Sequence, residues 1–261
     1  MKVNDLFKLT GKVALVTGGG RGIGKFIATG LAEAGADLII TSRKMKNLEA
    51  TAREIEKGCG RKVFPVECDI AKETAIDNLL KVAAEKFPRL DILVNNAGVT
   101  WGAPTLEFPL DKWDYVFNTN IRGLWILTQK VARIMKGQGG GNIINISSIL
   151  GFRGSLESHP AVPYNSTKGA VNLLTMNLAV KLAPYNIRVN AIAPGLFRTD
   201  INLYLEKPEN KQLLADKLDW IPLHRMADVD DMKGVAVFLA SEASAFMTGQ
   251  IVIVDGGFLA K

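Results

Sequence analysis

Seven short runs rich in Val, Ile and Leu, at residues 12–16, 38–41, 63–66, 92–95, 142–146, 188–192 and 251–254, recur along the chain with few polar positions inside them. A strand that shows one face to water alternates apolar and polar residues. Runs without that alternation therefore predict strands covered on both faces, the condition of a parallel sheet. Between them apolar residues recur at helical spacing: Ile27, Leu31 and Ala34; Ile76, Leu79, Leu80 and Ala83; Val171, Leu174, Leu178 and Leu182. Strand and helix thus alternate, with connections long enough to bring each strand back parallel to the last. The pattern predicts an α/β fold, a doubly wound parallel sheet with helices on both faces, as a single domain over residues 1–261. The glycine cluster at 137–141 closes a helix and opens a strand, and no linker or internal repeat divides the chain. Residues 195–226 interleave apolar side chains with charges after the sixth strand. A partly helical cover over a substrate site and an ordinary surface helix pair both fit that pattern.

With 48% hydrophobic and 22% charged residues, the composition lies outside the disordered, collagenous and membrane classes. The 32 Lys and Arg outnumber the 26 Asp and Glu by six, yet they are scattered among acids, so no nucleic-acid partner is expected. Cys59 and Cys68 have no CxxC partner, and His159 and His224 no companions at ligand spacing, so neither a disulfide framework nor a metal site is expected. Charges near the N-terminus, and the lack of any apolar run that would span a bilayer, lead to the expectation of no membrane partner and a cytoplasmic, reducing setting.

The first strand runs into Thr17-Gly18-Gly19-Gly20-Arg21-Gly22-Ile23-Gly24. Without Cβ atoms such a turn can bend sharply and approach a diphosphate at the following helix N-terminus. The GxxxGxG spacing differs from GxGxxG, and a structural tight turn competes with this reading. At the end of the second strand an NAD site would place an acid on the ribose hydroxyls. Here Ser42, Arg43 and Lys44 stand there instead. Arg43, with Arg21 from the glycine turn, suits a 2′-phosphate, so NADP(H) is expected over NAD.

Tyr164 and Lys168 lie four residues apart, one helical turn, sixteen residues beyond Ser148. A tyrosine releases its proton near pH 10, and a neighbouring ammonium would favour the phenolate and bring it into use. Ser148 follows the fifth strand at the carboxyl end of the sheet, where its hydroxyl can hold a substrate oxygen. The three supply a proton donor, a group that tunes it and one that orients the substrate.

Taken together, Thr17-Gly18-x-x-x-Gly22-x-Gly24, Asn95-Asn96-Ala97-Gly98, Ser148, Tyr164-x-x-x-Lys168, Pro194-Gly195 and Asp255-Gly256-Gly257 resemble the short-chain dehydrogenases/reductases over essentially the whole chain. The resemblance implies a seven-stranded Rossmann-type sheet and hydride transfer at the nicotinamide, with Tyr164 as general acid in reduction or base in oxidation. It implies that Lys168 also binds the nicotinamide ribose, and that Asn120 is the fourth catalytic residue, holding a water that links the lysine to solvent. An Asn bonding its own helix backbone is the alternative for Asn120. Asp69 and Ile70 match the adenine contacts, Asn96 and Gly98 the wall beside the ribose, and Pro194, Gly195 and Thr199 the carboxamide surroundings. Ile23 matches a residue along the diphosphate. The Ser148-to-Tyr164 span is longer than usual in the family, so residues 154–160 are expected to bulge near the substrate mouth.

Residues 95–104, with Trp101-Gly102-Ala103-Pro104, are similar to bacterial reductases of 3-oxoacyl thioesters, of the acyl-carrier-protein and rhamnolipid kinds. The leading expectation is therefore an NADP(H)-dependent ketoreductase of a 3-oxoacyl thioester or another apolar carbonyl, its pocket drawn from Trp101, Phe152, Leu196, Phe197 and Trp220. The alternatives are a dehydrogenase of a cyclic alcohol, steroid or sugar, and a non-catalytic NADP-binding subunit. The apolar 251–259 and the helix around 173–182, whose family counterparts pack against other subunits, imply a homotetramer, or else a homodimer.

Overall fold

The computed structural model describes residues 2–155, 160–200 and 202–261. Seven strands, β1 Val13–Thr17, β2 Asp37–Ser42, β3 Val63–Glu67, β4 Ile92–Asn95, β5 Gly141–Ile146, β6 Ile187–Pro194 and β7 Ile251–Val254, form one sheet. Their order is β3-β2-β1-β4-β5-β6-β7 and every pairing is parallel. The seven runs expected from the sequence are these strands, shifted by a residue or two at some ends. The order reverses between β1 and β4, which opens a crevice at their carboxyl ends.

Side chains alternate across a strand, so each apolar run feeds two cores. Ala14, Val16, Leu38, Ile40 and Ile144 face one side, where α2 Gly22–Glu33, α3 Met45–Cys59 and α9 Val229–Ala240 cover them; α1 is the short turn Val3–Leu6. Val13, Leu15, Ile39, Leu93 and Ile143 face the other, beneath α4 Glu73–Lys86, α6 Leu124–Gly137 and α7 Val162–Leu182. Each such side chain contributes about 1.5–3 kcal/mol by leaving water, which is why polar residues are scarce in the central strands. Pro65 is tolerated in β3 because that strand is an edge.

A buried polar ladder crosses the second core. Asn95 Nδ2 donates to Thr128 Oγ1 (2.8 Å) and Asn145 Oδ1 (2.9 Å), and Asn145 Nδ2 donates to Thr175 Oγ1 (2.9 Å). It ties β4 and β5 to α6 and α7 just below the crevice. Beyond β6 the chain leaves the sheet at Phe197 and returns at Ala227, where the two residues form a parallel bridge. The excursion holds two short 3₁₀ turns and α8 Lys211–Asp219, which buries no side chain of its own, rather than a helix pair. α5 Leu110–Phe117 runs directly into a π-helix, Asn118–Gly123, ahead of α6.

Candidate active site

The glycine turn is built around Asn96. Its Nδ2 donates to the carbonyls of Thr17 (2.9 Å) and Gly18 (3.3 Å), pinning the turn to the end of β4. Gly18 has φ +65°, and a Cβ there would lie 2.7 Å from that amide. A Cβ on Gly24 would collide with the Gly18 carbonyl and the Asn96 amide together. Thr17 completes the junction: its Oγ1 donates to Val94 O (3.2 Å) and accepts from the Asn96 and Ala97 N–H groups (both 2.9 Å). The result is a bare backbone cradle at the α2 N-terminus, opening into a cavity of about 230 Å³ lined by Gly20, Arg21, Gly22, Lys25 and, from the excursion, Arg198, Thr199 and Asp200. A cradle that side chains would fill, at a helix N-terminus where three cations outnumber the one carboxylate, fits a diphosphate. A larger cleft, about 410 Å³ between α2, α3 and α9, is bridged by the Lys25–Glu54 and Lys233–Glu33 ion pairs and contains none of the proton-transfer residues.

At the β2 end, Ser42 Oγ accepts from the Lys44 N–H (3.4 Å), and Arg43 extends into solvent with its guanidinium donating to the hydroxyl of Tyr115 on α5 (3.1 Å). Among the described residues no carboxylate pairs with Arg43 or Arg21. Asp69 turns the chain after β3 by accepting from the Ala71 N–H (3.1 Å), and Ile70 is buried. Ile23 is half-buried against the first core. Pro194 ends β6, and Gly195 donates to Val254 O (2.9 Å), so close to Asp255 that a Cβ would sit 2.8 Å from its Cα.

Three elements meet where Gly98 has no side chain: its Cβ position lies 3.4 Å from Asn120 Oδ1 and 3.8 Å from Lys168 Nζ. Asn120, in the π-helix, does not bond its own helix. It accepts from the Val99 N–H (2.8 Å) and donates to Val99 O (2.9 Å) and Thr167 Oγ1 (3.1 Å), joining the β4 exit to α7. The π-helix in turn packs so tightly on the Ile70 carbonyl that only glycine fits at 123. Ser148 caps the turn after β5, its Oγ accepting from the Leu150 N–H (3.1 Å), and it is hydrogen-bonded with the Tyr164 hydroxyl. Lys168 is almost wholly buried and donates to Ile146 O at 2.7 Å.

Ser148, Tyr164 and Lys168, singled out by their spacing, and Asn120, implied by the family resemblance, are thus brought together. The electrostatics differ from the expectation that the lysine acidifies the phenol. Burial pushes the Tyr164 hydroxyl above its usual value, and the bond with Ser148 offsets this only in part. The Lys168 ammonium is committed to the Ile146 carbonyl and lies over the ring, 5.5 Å from its centroid. Burial lowers its own pKa from 10.5 to about 8.

The expected apolar pocket is also revised. Phe197 is sealed in the first core, and Trp101, Phe152 and Trp220 are exposed. Cations cover the aromatic faces here: Lys112 over Trp101 (4.9 Å), Lys261 over Trp220 (5.9 Å) and Arg153 over Phe258 (5.1 Å). Arg153 stands five residues past Ser148, and its carbonyl accepts from Asn165, the neighbour of Tyr164. His224 lies in the excursion at φ +47°, while His159, Ile201 and most of the 154–160 extension fall outside the described residues. Among the described residues no three His, Cys, Asp or Glu are grouped to hold a metal, and no helix is long and apolar enough to cross a membrane. Thr167, Lys25 and Arg198 escaped the sequence reading, and Thr17 was read only as the head of the glycine motif, with no role of its own. Only Thr17, a hydroxyl ending the strand before the glycines, carried a local signal.

A diphosphate cradle at the crevice of a parallel sheet, with a tyrosine, a serine and a buried lysine beside it, defines a nucleotide-dependent oxidoreductase acting on CH–OH groups. The chain belongs to the short-chain dehydrogenase/reductase family: the family model described as "Enoyl-(Acyl carrier protein) reductase" matches residues 18–259. It is 42% identical to a 2-dehydro-3-deoxy-D-gluconate 5-dehydrogenase of Pseudoalteromonas atlantica, covering 98% of this chain and 99% of the relative. A 3-oxoacyl-[acyl-carrier-protein] reductase of Aquifex aeolicus is 39% identical over 96% and 98%. The crystal structure of a gluconate 5-dehydrogenase from Burkholderia cenocepacia, in complex with NADP and tartrate, superposes with a TM-score of 0.90 at 36% identity, covering all of both chains.

Proposed function

We propose that the protein is an NADP(H)-dependent dehydrogenase/reductase that interconverts a secondary alcohol and a ketone on a sugar acid. One observation carries the substrate class: of the side chains expected to make an apolar pocket, Phe197 is in the core, Leu196 is half-buried, and Trp101, Phe152 and Trp220 are exposed, with Lys112 over Trp101 and Lys261 over Trp220. A mouth of that kind favours a hydroxylated anion over an acyl chain. The sugar-acid relatives at 42% and 43% identity, and the tartrate held by the Burkholderia enzyme, support the same reading.

In this reading the glycine turn (Gly18, Gly22, Ile23, Gly24) carries the coenzyme diphosphate, with Asn96 and Gly98 beside the adenosine ribose and Asp69 and Ile70 along the adenine. Ser42, Arg43 and Arg21 take the 2′-phosphate, and Pro194, Gly195 and Thr199 surround the carboxamide. When bound, the coenzyme supplies or accepts the hydride at its nicotinamide carbon. Ser148 orients the substrate oxygen. Tyr164 gives it a proton in reduction and takes one in oxidation. Lys168 binds the nicotinamide ribose and, with a pKa of about 8, can exchange protons near neutrality through a path that Asn120 holds in place. The uncovered Leu173, Met176 and Val180 on α7 and Ile253 on β7 support a homo-oligomer.

The family-model description and the Aquifex relative favour a second reading, a 3-oxoacyl thioester reductase. Steady-state rates with D-gluconate and 2-dehydro-3-deoxy-D-gluconate, against acetoacetyl thioesters with NADPH, separate the two. Sugar-acid kcat/KM should exceed the thioester value by about tenfold or more, and the reverse order would refute the substrate class. Tyr164→Phe should reduce turnover by about 100-fold or more while coenzyme still binds. Unchanged turnover would defeat the role given to Tyr164, and wild-type protein that binds coenzyme yet turns over none of these substrates would point to a non-catalytic subunit.

A further inference from the structure

The cavity at the α2 N-terminus is walled by the excursion as well as by the glycine turn: Arg198, Thr199 and Leu203 line it opposite Arg21 and Gly22. The backbone of Arg198 is fixed, its N–H donating to Ala227 O (2.7 Å) beside the Phe197–Ala227 bridge. Its side chain is not fixed in the same way. The guanidinium is exposed and donates to Glu206 Oε2 at 2.8 Å, in the 3₁₀ turn Leu203–Glu206. Exposed ion pairs of this kind are weak. Glu206 meets the guanidinium through one oxygen, whereas a diphosphate offers the same planar fork more charge and a bidentate pair, which favours the exchange. Lys25, the other cation of the wall behind Arg21, is already held by Glu54 at 2.7 Å. Arg198 is therefore the cation of this cavity whose present partner sits on the excursion itself.

We infer that Arg198 binds the coenzyme diphosphate by leaving Glu206, so that coenzyme binding releases the 203–206 turn. This rests on the proposed coenzyme site and adds to it a residue of the excursion between β6 and α9.

The test is fluorescence titration of NADPH and of NADH into the whole protein without substrate. Arg198→Gln should weaken both coenzymes by the same factor, about tenfold, because the diphosphate is common to both. Arg198→Lys should fall between that variant and wild type. Glu206→Gln removes the competitor and should tighten both coenzymes by about twofold or more. Unchanged affinities in Arg198→Gln would overturn the inference. A loss confined to NADPH would do so too, since it would place Arg198 at the 2′-phosphate. Weaker or unaltered binding in Glu206→Gln would refute the exchange. Wild-type protein that binds neither coenzyme would instead remove the proposed function, a distinct result.

Discussion

Replacing Lys168 by Met tests whether burial sets the proton affinity of the amine. Lys168 is 5% exposed, its ammonium has the Ile146 carbonyl at 2.7 Å, and its pKa is lowered from 10.5 to about 8. A folded-state value below the unfolded one means that carrying the proton opposes folding. The cost is complete below pH 8, shrinks as the pH rises from 8 to 10.5, and vanishes above. By linkage it amounts to about 3 kcal/mol at pH 7, about 2 at pH 9 and about 1 at pH 10. Met keeps the length of the side chain and removes its titration. Wild type should therefore gain about 1 kcal/mol on the variant between pH 7 and pH 9, and about 2–2.5 kcal/mol by pH 10, while every other group titrates alike in both. At pH 7 the variant's advantage is less than the full 3, because Met leaves the Ile146 carbonyl unpaired at a cost of about 1–3 kcal/mol. Urea unfolding of both proteins at pH 7, 8, 9 and 10, followed by tryptophan fluorescence, reads the difference directly. Stability curves that run parallel across that range would refute the reasoning, since they would leave the amine titrating as it does in water.

Gly24→Ala should weaken coenzyme binding by about tenfold or more and destabilise the protein by about 1–3 kcal/mol, because the new methyl displaces Asn96 from the Thr17 and Gly18 carbonyls; calorimetric titration and thermal melts measure both. Asn145→Ala leaves Asn95 and Thr175 short of a buried partner, and chemical unfolding should show a loss of about 2–4 kcal/mol. Arg43→Ala should raise KM for NADPH by about tenfold and leave NADH nearly unaffected, and a matched loss with both coenzymes would remove Arg43 from the 2′-phosphate.

How much was legible in the chain follows from the range of the interactions involved. The central strands were readable because burial on both faces leaves its mark on every residue of a run, as in β4, which matches the expected 92–95; the edge strand β7 matches 251–254 through its apolar run alone, with Ile253 exposed. Ser148, Tyr164 and Lys168 were readable because a helical turn and a strand end convert spacing into proximity. The π-helix around Asn120 was not. It depends on the Ile70 carbonyl, more than fifty residues away in sequence, fitting against Gly123. The pocket failed for a related reason: nothing local distinguishes Phe197, which fills the core, from Trp220, which is exposed. Spacing also placed Lys168 beside Tyr164 without revealing that the Ile146 carbonyl would claim its ammonium.

That last point bears on how the proton-transfer group works. In the free protein, burial holds Tyr164 in the phenol form and the Ser148 bond moderates this only partly. The free site is therefore poised to give a proton, as reduction requires, and whatever acidifies the phenol for alcohol oxidation must arrive with the coenzyme. Two titrations separate these contributions. Absorbance at the phenolate band, wild type minus Tyr164→Phe, should show no phenolate from Tyr164 in the free protein up to about pH 10, because a raised pKa keeps the proton on beyond the usual tyrosine value. With NADP⁺ saturating, the same difference should titrate at lower pH, and oxidation should rise with pH across that interval while reduction stays level below it. A phenolate signal below about pH 8 in the free protein would mean that the lysine, not the coenzyme, tunes the tyrosine, and would restore the simpler scheme that the four-residue spacing suggests.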